Sequence, residues 1–284
     1  MVEPLLEPTS RERLSPVAAL MRRAFPKAGK YSEAYLDWLY FQNPAGPALA
    51  FDVREGDRII SHGAGVPQRL MLHGRPVLGA LMLNTATDAD RQGRGLFSRI
   101  VNAVIEETGR RGVAALTGVA NQNSVGPYVN RLAFQEVRGL DAFVALEPER
   151  VDMARAMADA DLRRDWDDAT LAWRLANPES PARLVAATHD SLVVEAASTA
   201  PVIRARGVIP RAGLEPPPLP RGRLWPAVSL TLAPAGTSRR GLAVDLPDRL
   251  RPSPLRLIYL NTADPADRLD PDRILFSFLD FDAF

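Results

Sequence analysis

The chain has 284 residues, of which 46% are hydrophobic and 24% charged, and its formal net charge is +1. That composition suits a globular chain long enough to bury two cores, and it gives no charge signature of a nucleic-acid surface. Cysteine is absent, which excludes disulfides, thiolate nucleophiles and Cys-based zinc sites.

In chain order, residues 10–25 place Leu14, Val17, Leu20, Met21 and Phe25 at helical spacing. Pro26 to Lys30 ends that helix. A second helix is expected over 32–41, with Ser32 as its N-cap and Asn43-Pro44-Ala45-Gly46 as its stop. Three strand-like runs follow, at 48–54, 59–71 (interrupted at Pro67) and 77–87, joined by turns at Glu55-Gly56-Asp57 and His73-Gly74. Tight glycine turns between such runs imply an antiparallel meander. The period then changes. Leu96, Ile100, Val101, Val104 and Ile105 form one apolar face of a helix over 95–111, closed by Arg110-Arg111-Gly112. A strand over 113–119, a short helix over 124–132 and a strand or strand pair over 135–146 complete this half. The order predicts an α/β layer arrangement.

A boundary near residue 150 divides the chain into expected domains 1–150 and 151–284. The second has strand-like runs at 183–187, 192–196, 202–208, 227–232, 255–259 and 274–281, with a Pro-rich loop around Pro216-Pro217-Pro218. One echo links the halves. Trp38 on a helix ahead of Asn43-Pro44 is matched by Trp173 on a helix ahead of Asn177-Pro178.

The segment that carries chemistry is Gln92-Gly93-Arg94-Gly95-Leu96-Phe97, between the third strand run and the amphipathic helix. Glycine lets the backbone approach a ligand closely. First-turn N–H groups point outward at the positive end of the helix dipole. Such a turn holds a pyrophosphate on backbone alone, and Arg91 and Arg94 add charge beside it. The stretch from Leu81 to Phe97 resembles motif A of the GNAT superfamily of N-acetyltransferases, a strand followed by Gln/Arg-x-x-Gly-x-Gly/Ala and a helix. Gln92 and Gly95 fill the first two fixed positions, and Phe97 stands where Gly or Ala is usual. Asn121 to Phe134 resembles motif B, a loop Asn and a short helix, here ending Leu132-Ala133-Phe134.

The resemblance implies a GNAT fold, with a mixed, mostly antiparallel sheet flanked by helices, and a second, smaller GNAT-like α/β domain. It implies acetyl-CoA, or another acyl-CoA, as co-substrate. The expected contacts are Thr85, Ala86, Thr87, Gln92, Gly93, Arg94, Gly95, Leu96, Phe97, Ser98 and Asn123. A backbone N–H around Asn84–Thr87 polarises the thioester carbonyl. An amine attacks directly, so the reaction needs a base for the ammonium and an acid for the thiolate. The usual acid position falls on Val129. Tyr128, one residue away, takes the role if Pro127 shifts the helix start. Asp88 is the candidate base, and Tyr31, Tyr35 and His62 are candidates for the acceptor pocket.

No metal is implied, because His62, His73 and His189 are scattered. No apolar run reaches the about 20 residues that span a bilayer, and the N-terminus lacks a signal-peptide pattern, so a cytoplasmic location is expected. The expected partner is a small-molecule amine, an amino sugar or sugar nucleotide by first choice. No nucleic acid is expected. The chain is read as a monomer with an internal pseudo-dimer, or as a homodimer. Two other readings are transfer of a longer acyl chain to a peptide or lipid-like amine, and an acyl-CoA-binding module without catalysis. The second half lacks a second motif A. It reads as a degenerate copy that shapes the acceptor site, with its last strand from Phe278 onward.

Overall fold

The computed structural model describes residues 4–146, 152–198, 203–215, 219, 226–232, 243–247 and 255–281. The expected loop at Pro216–Pro218 lies outside them, as do the last three residues of the expected final strand. The first half runs β1 (Leu5–Pro8), α1 (Leu14–Ala24), α2 (Glu33–Phe41), β2 (Leu49–Glu55), β3 (Arg58–Leu72), β4 (Arg75–Thr87), α3 (Leu96–Arg111), β5 (Ala115–Ala120), α4 (Gln122–Leu132), β6 (Gln135–Gly139) and β7 (Asp141–Ala145). The second runs α5 (Met153–Asp159), β8 (Leu162–Arg164), α6 (Asp168–Leu175), β9 (Arg183–Ala187), β10 (Ser191–Ala197), β11 (Arg204–Pro210), β12 (Ala227–Leu232), β13 (Ala243–Asp245), β14 (Arg256–Asn261) and β15 (Ile274–Ser277). A 3-10 turn, Phe278–Asp280, follows β15 where a continuing strand was expected.

β2, β3 and β4 form the antiparallel meander. Pro67 does not interrupt β3, because its carbonyl accepts from Asn43 Nδ2 at 2.8 Å. A strand residue's N and C=O point to the same side, so the missing N–H falls where β2 has ended at Gly65 and β8 begins only at Leu70. Ser32 caps α2 by accepting from the Tyr35 N–H at 3.1 Å. α1 and α2 lay Leu20, Met21, Tyr35, Leu36 and Leu39 against one face of the sheet. α3 and α4 cover another core built on Val101, Val104, Leu116 and Leu132.

The halves exchange strands. β14 lies between β5 and β6, antiparallel to both. β7 leaves the first half and pairs with β12 and β13. A cut at residue 150 therefore divides the sequence but not the sheet, because hydrogen-bonding edges on each side are completed by the other. The Trp echo is a contact as well. Trp38 and Trp173 stack at 4.7 Å, and each indole Nε1–H donates to the other's backbone carbonyl at 3.1 Å.

Candidate functional site

β4 and β5 run parallel and pair only from Gly79↔Ala115 to Met82↔Gly118. Beyond that register they part, although β4 continues to Thr87 and β5 to Ala120. Gly118 stands at the apex of the V. A Cβ there would meet Ile258 Cγ1 and the Met82 carbonyl oxygen, both at 3.2 Å. Ile258 belongs to β14, so the second half closes the bottom of the V. β4 is bulged at this point, and Asn84 takes a φ of 53°. Asn is among the side chains best suited to that left-handed conformation.

The cleft above the V has a volume of about 1010 Å³. Along one side run Thr85, Ala86, Thr87, Gln92, Gly93, Gly95, Leu96, Phe97 and Ser98, with Asn123 and Tyr128 opposite on α4. All but one of the residues expected to contact the co-substrate are thus brought together. The exception is Arg94, which is exposed and does not line the cleft. Arg91 does line it, but its guanidinium is held by Glu55 and Asp90, each at 2.8 Å. Gly93 and Gly95 both have φ of 76°, with nothing within 4 Å of a built Cβ. They are glycine for their backbone angle and leave open space on the ligand side. No side chain caps α3, and no acidic residue sits in its first turn. Its first N–H groups and its dipole are therefore offered to the cleft.

Asn121 caps α4 and forms a capping box with Ser124, so the helix begins at Gln122, two residues earlier than expected. That start turns Tyr128 inward, and Val129 is not part of the cleft wall. Tyr128 is 4% exposed and its hydroxyl lies 3.3 Å from Thr85 Oγ1. Phe97 and Phe134 meet its ring edge-on at 5.0 and 4.9 Å. Phe97 therefore packs sideways against α4, which is how the loop accommodates it in place of a small residue. Burial pushes the Tyr128 phenol up to about 12.

Four expectations are corrected. Asp88 is not a free base. Its carboxylate is buried between Arg23, at 3.0 Å, and Arg58, at 2.6 Å, so its lone pairs are committed to two guanidiniums. Tyr31 and Tyr35 lie in the α1–α2 core, 7% and 0% exposed, away from the cleft. Their aromatic stripe faces the sheet because large rings contribute most when buried. His62 is fully buried and does not line the cleft. Its Nδ1 lies 2.7 Å from Asp52 Oδ1 and its Nε2 lies 2.8 Å from Tyr40 Oη, which in turn accepts from Asn84 Nδ2 at 2.8 Å. Arg23, Phe25, Arg58 and Ile258 line the cleft without sequence warning, because they come from remote segments, and Arg131 joins them from α4. Only Asn84 carried a local signal, a carboxamide in an apolar strand just before the glycine loop.

The second half contains a similar parallel pair, β11–β12, registered from Arg204↔Ala227 to Arg206↔Ser229. There the V is filled. β12 continues on the same edge into pairing with β15, through Thr231↔Ser277 and Leu232↔Phe276. A Cβ on Gly207 would meet the Phe278 ring at 2.9 Å. Among the described residues no three His, Cys, Asp or Glu side chains gather to hold a metal ion, and no helix is long and apolar enough to cross a membrane.

A family profile described as an acetyltransferase (GNAT) domain matches residues 6–134. No curated protein sequence matches the chain. Among solved structures, a GCN5-related N-acetyltransferase from Anabaena variabilis superposes with TM-score 0.58 at 10% identity, covering 92% of this chain and 73% of that one. A GCN5-related N-acetyltransferase from Kribbella flavida gives TM-score 0.58 at 15% identity, covering 92% and 72%. Identities this low speak for the fold alone, and the profile match is a similarity of residues 6–134. The stretch matched by that domain profile, residues 6–134, builds all of the cleft except Ile258.

Proposed function

We propose that the cleft binds an acyl-CoA, with acetyl-CoA as first choice, and passes the acyl group to the primary amine of a small molecule. The observation that carries this reading is the open V between β4 and β5, ending in a backbone cradle at Gly93–Ser98. The pyrophosphate would take the N–H groups of the α3 N-terminus. The pantetheine arm would lie as an extra strand along Leu83–Thr87, where β4 has lost its partner. Arg131, at the cleft rim, would face the adenosine phosphate.

The thioester carbonyl would then sit at the β4 bulge, within reach of its backbone N–H groups. Tyr128, kept protonated by burial, would donate a hydrogen bond to the thiolate as it leaves. Amino sugars and sugar nucleotides are the first acceptors to try, because the mouth, where Arg23 and Arg58 pair with Asp88, is polar and carries both signs of charge.

Calorimetric titration with acetyl-CoA should give saturable binding. Thiol release with a panel of primary amines should then identify the acceptor class. Tyr128→Phe should lower kcat about 100-fold or more while binding acetyl-CoA as the wild type does. Absence of acetyl-CoA binding would remove the acyl-CoA reading, and full turnover by Tyr128→Phe would remove the acid role.

A further inference from the structure

Thr85 and Asn84 are neighbours on β4, yet they address opposite sides of the sheet. Thr85 meets Tyr128 on α4, whereas Asn84 meets Tyr40 on α2. Behind Asn84 runs a buried polar chain. Tyr40, His62 and Asp52 are each 0% exposed and are linked by contacts of 2.8 and 2.7 Å. Asp52 Oδ1 also accepts from Thr9 Oγ1 at 2.9 Å. Three polar side chains in a dry core are costly unless they are mutually satisfied, and an apolar core would avoid that cost.

The chain has a direction set by the tautomer. Asp52 Oδ1 is an acceptor, so His62 donates from Nδ1, and in the tautomer protonated only there it accepts at Nε2. Tyr40 donates its hydroxyl to that nitrogen. The Tyr40 oxygen then accepts the Asn84 amide N–H. Asn84 lines the cleft, and with its nitrogen so held its carboxamide oxygen has no protein partner among the described residues.

We propose that Asn84 is the acceptor-positioning residue. Its carboxamide oxygen takes a hydrogen bond from the attacking nitrogen, and the buried Tyr40–His62–Asp52 chain fixes which end of the amide faces the cleft. This rests on the acyl-CoA reading above. It deepens that reading by giving the site a chemical preference for amines over alcohols. A primary amine keeps an N–H through attack on the thioester carbonyl and in the amide product. An alcohol loses its one hydrogen and faces Asn84 Oδ1 with lone pairs only.

The test needs no knowledge of the natural acceptor. Two probes are made by alkylating the CoA sulfur, one carrying CH2–CO–NH–ethyl and the other CH2–CO–O–ethyl, so that they differ in one N–H. Their affinities, and that of CoA, are measured by calorimetry. The wild type should bind the amide about tenfold more tightly than the ester. Asn84→Ala and Tyr40→Phe should bring that ratio close to one. A purely structural role for Tyr40 would weaken both probes alike and keep the ratio, which would overturn the chain's part in the proposal. If Tyr40→Phe fails to fold, Asn84→Ala, whose side chain lines the cleft, carries the test. A ratio near one in the wild type, or a tenfold ratio surviving in Asn84→Ala, overturns the proposal while leaving acyl-CoA binding intact. Failure of CoA itself to bind removes both readings.

Discussion

Asp280 is 5% exposed, and burial pushes its carboxyl from 3.8 up to about 6. Arg164, also buried, is pushed the other way, to about 10. Between pH 3.8 and about 6 the folded chain holds the Asp280 proton and the unfolded chain does not. The contribution of this residue to stability is therefore present at the acid end and lost as pH rises through that window. Two pK units correspond to ~3 kcal/mol. Asp280→Asn keeps an acceptor for the Ser277 N–H, which Asp280 now takes at 2.6 Å. The melting-temperature difference, variant minus wild type, should therefore grow from pH 4 to pH 6.5, and a constant difference would refute the assignment. The same remoteness that hides such pairs from sequence explains Asp88. Its guanidinium partners stand 65 and 30 residues away, so only a loop carboxylate was legible. Tyr128 was legible as chemistry but not as geometry, since the Asn121 cap that sets its direction fixes the helix start by two hydrogen bonds rather than by composition.

At the scale of elements, the first half could be read almost completely. Its helices and strands alternate between periods of 3.6 and 2, with glycine turns between them, and periodicity is the strongest signal a sequence carries. The bulge in β4 and the parting of β4 from β5 were not legible, because no local pattern marks where two paired strands separate. In the second half the corresponding V is occupied by β15 and Phe278. One acyl-CoA should therefore bind per chain. Calorimetry at saturating acetyl-CoA should return a stoichiometry near one, and a value near two would mean that β15 can be displaced. Phe278→Ala should lower stability by about 3–5 kcal/mol, the usual range for emptying a buried phenylalanine site, without raising that stoichiometry.

For the whole molecule, the exchange of β7 and β14 decides what counts as a folding unit. β14 buries Leu257, Ile258, Tyr259 and Leu260, each 5% exposed or less. At about 1.5–3 kcal/mol per buried apolar side chain, its loss is comparable to the whole margin of a typical domain. A fragment ending at residue 150 should show no cooperative unfolding transition and no CoA binding. Co-expression with residues 151–284 should restore both. A stable, CoA-binding fragment 1–150 would show that β14 is dispensable. The Trp38 and Trp173 echo was read as a sign of two similar halves, but strand exchange leaves no trace in either half's own pattern. The exchange also imposes an order on synthesis. As the nascent chain leaves the ribosome, β5 and β6 emerge more than 100 residues ahead of β14, the strand that lies between them. The cleft therefore cannot be completed until β14 has emerged. Contacts between such distant parts of the sequence slow folding, and the unpaired edges waiting for β14 are the place where chaperones would be expected to engage.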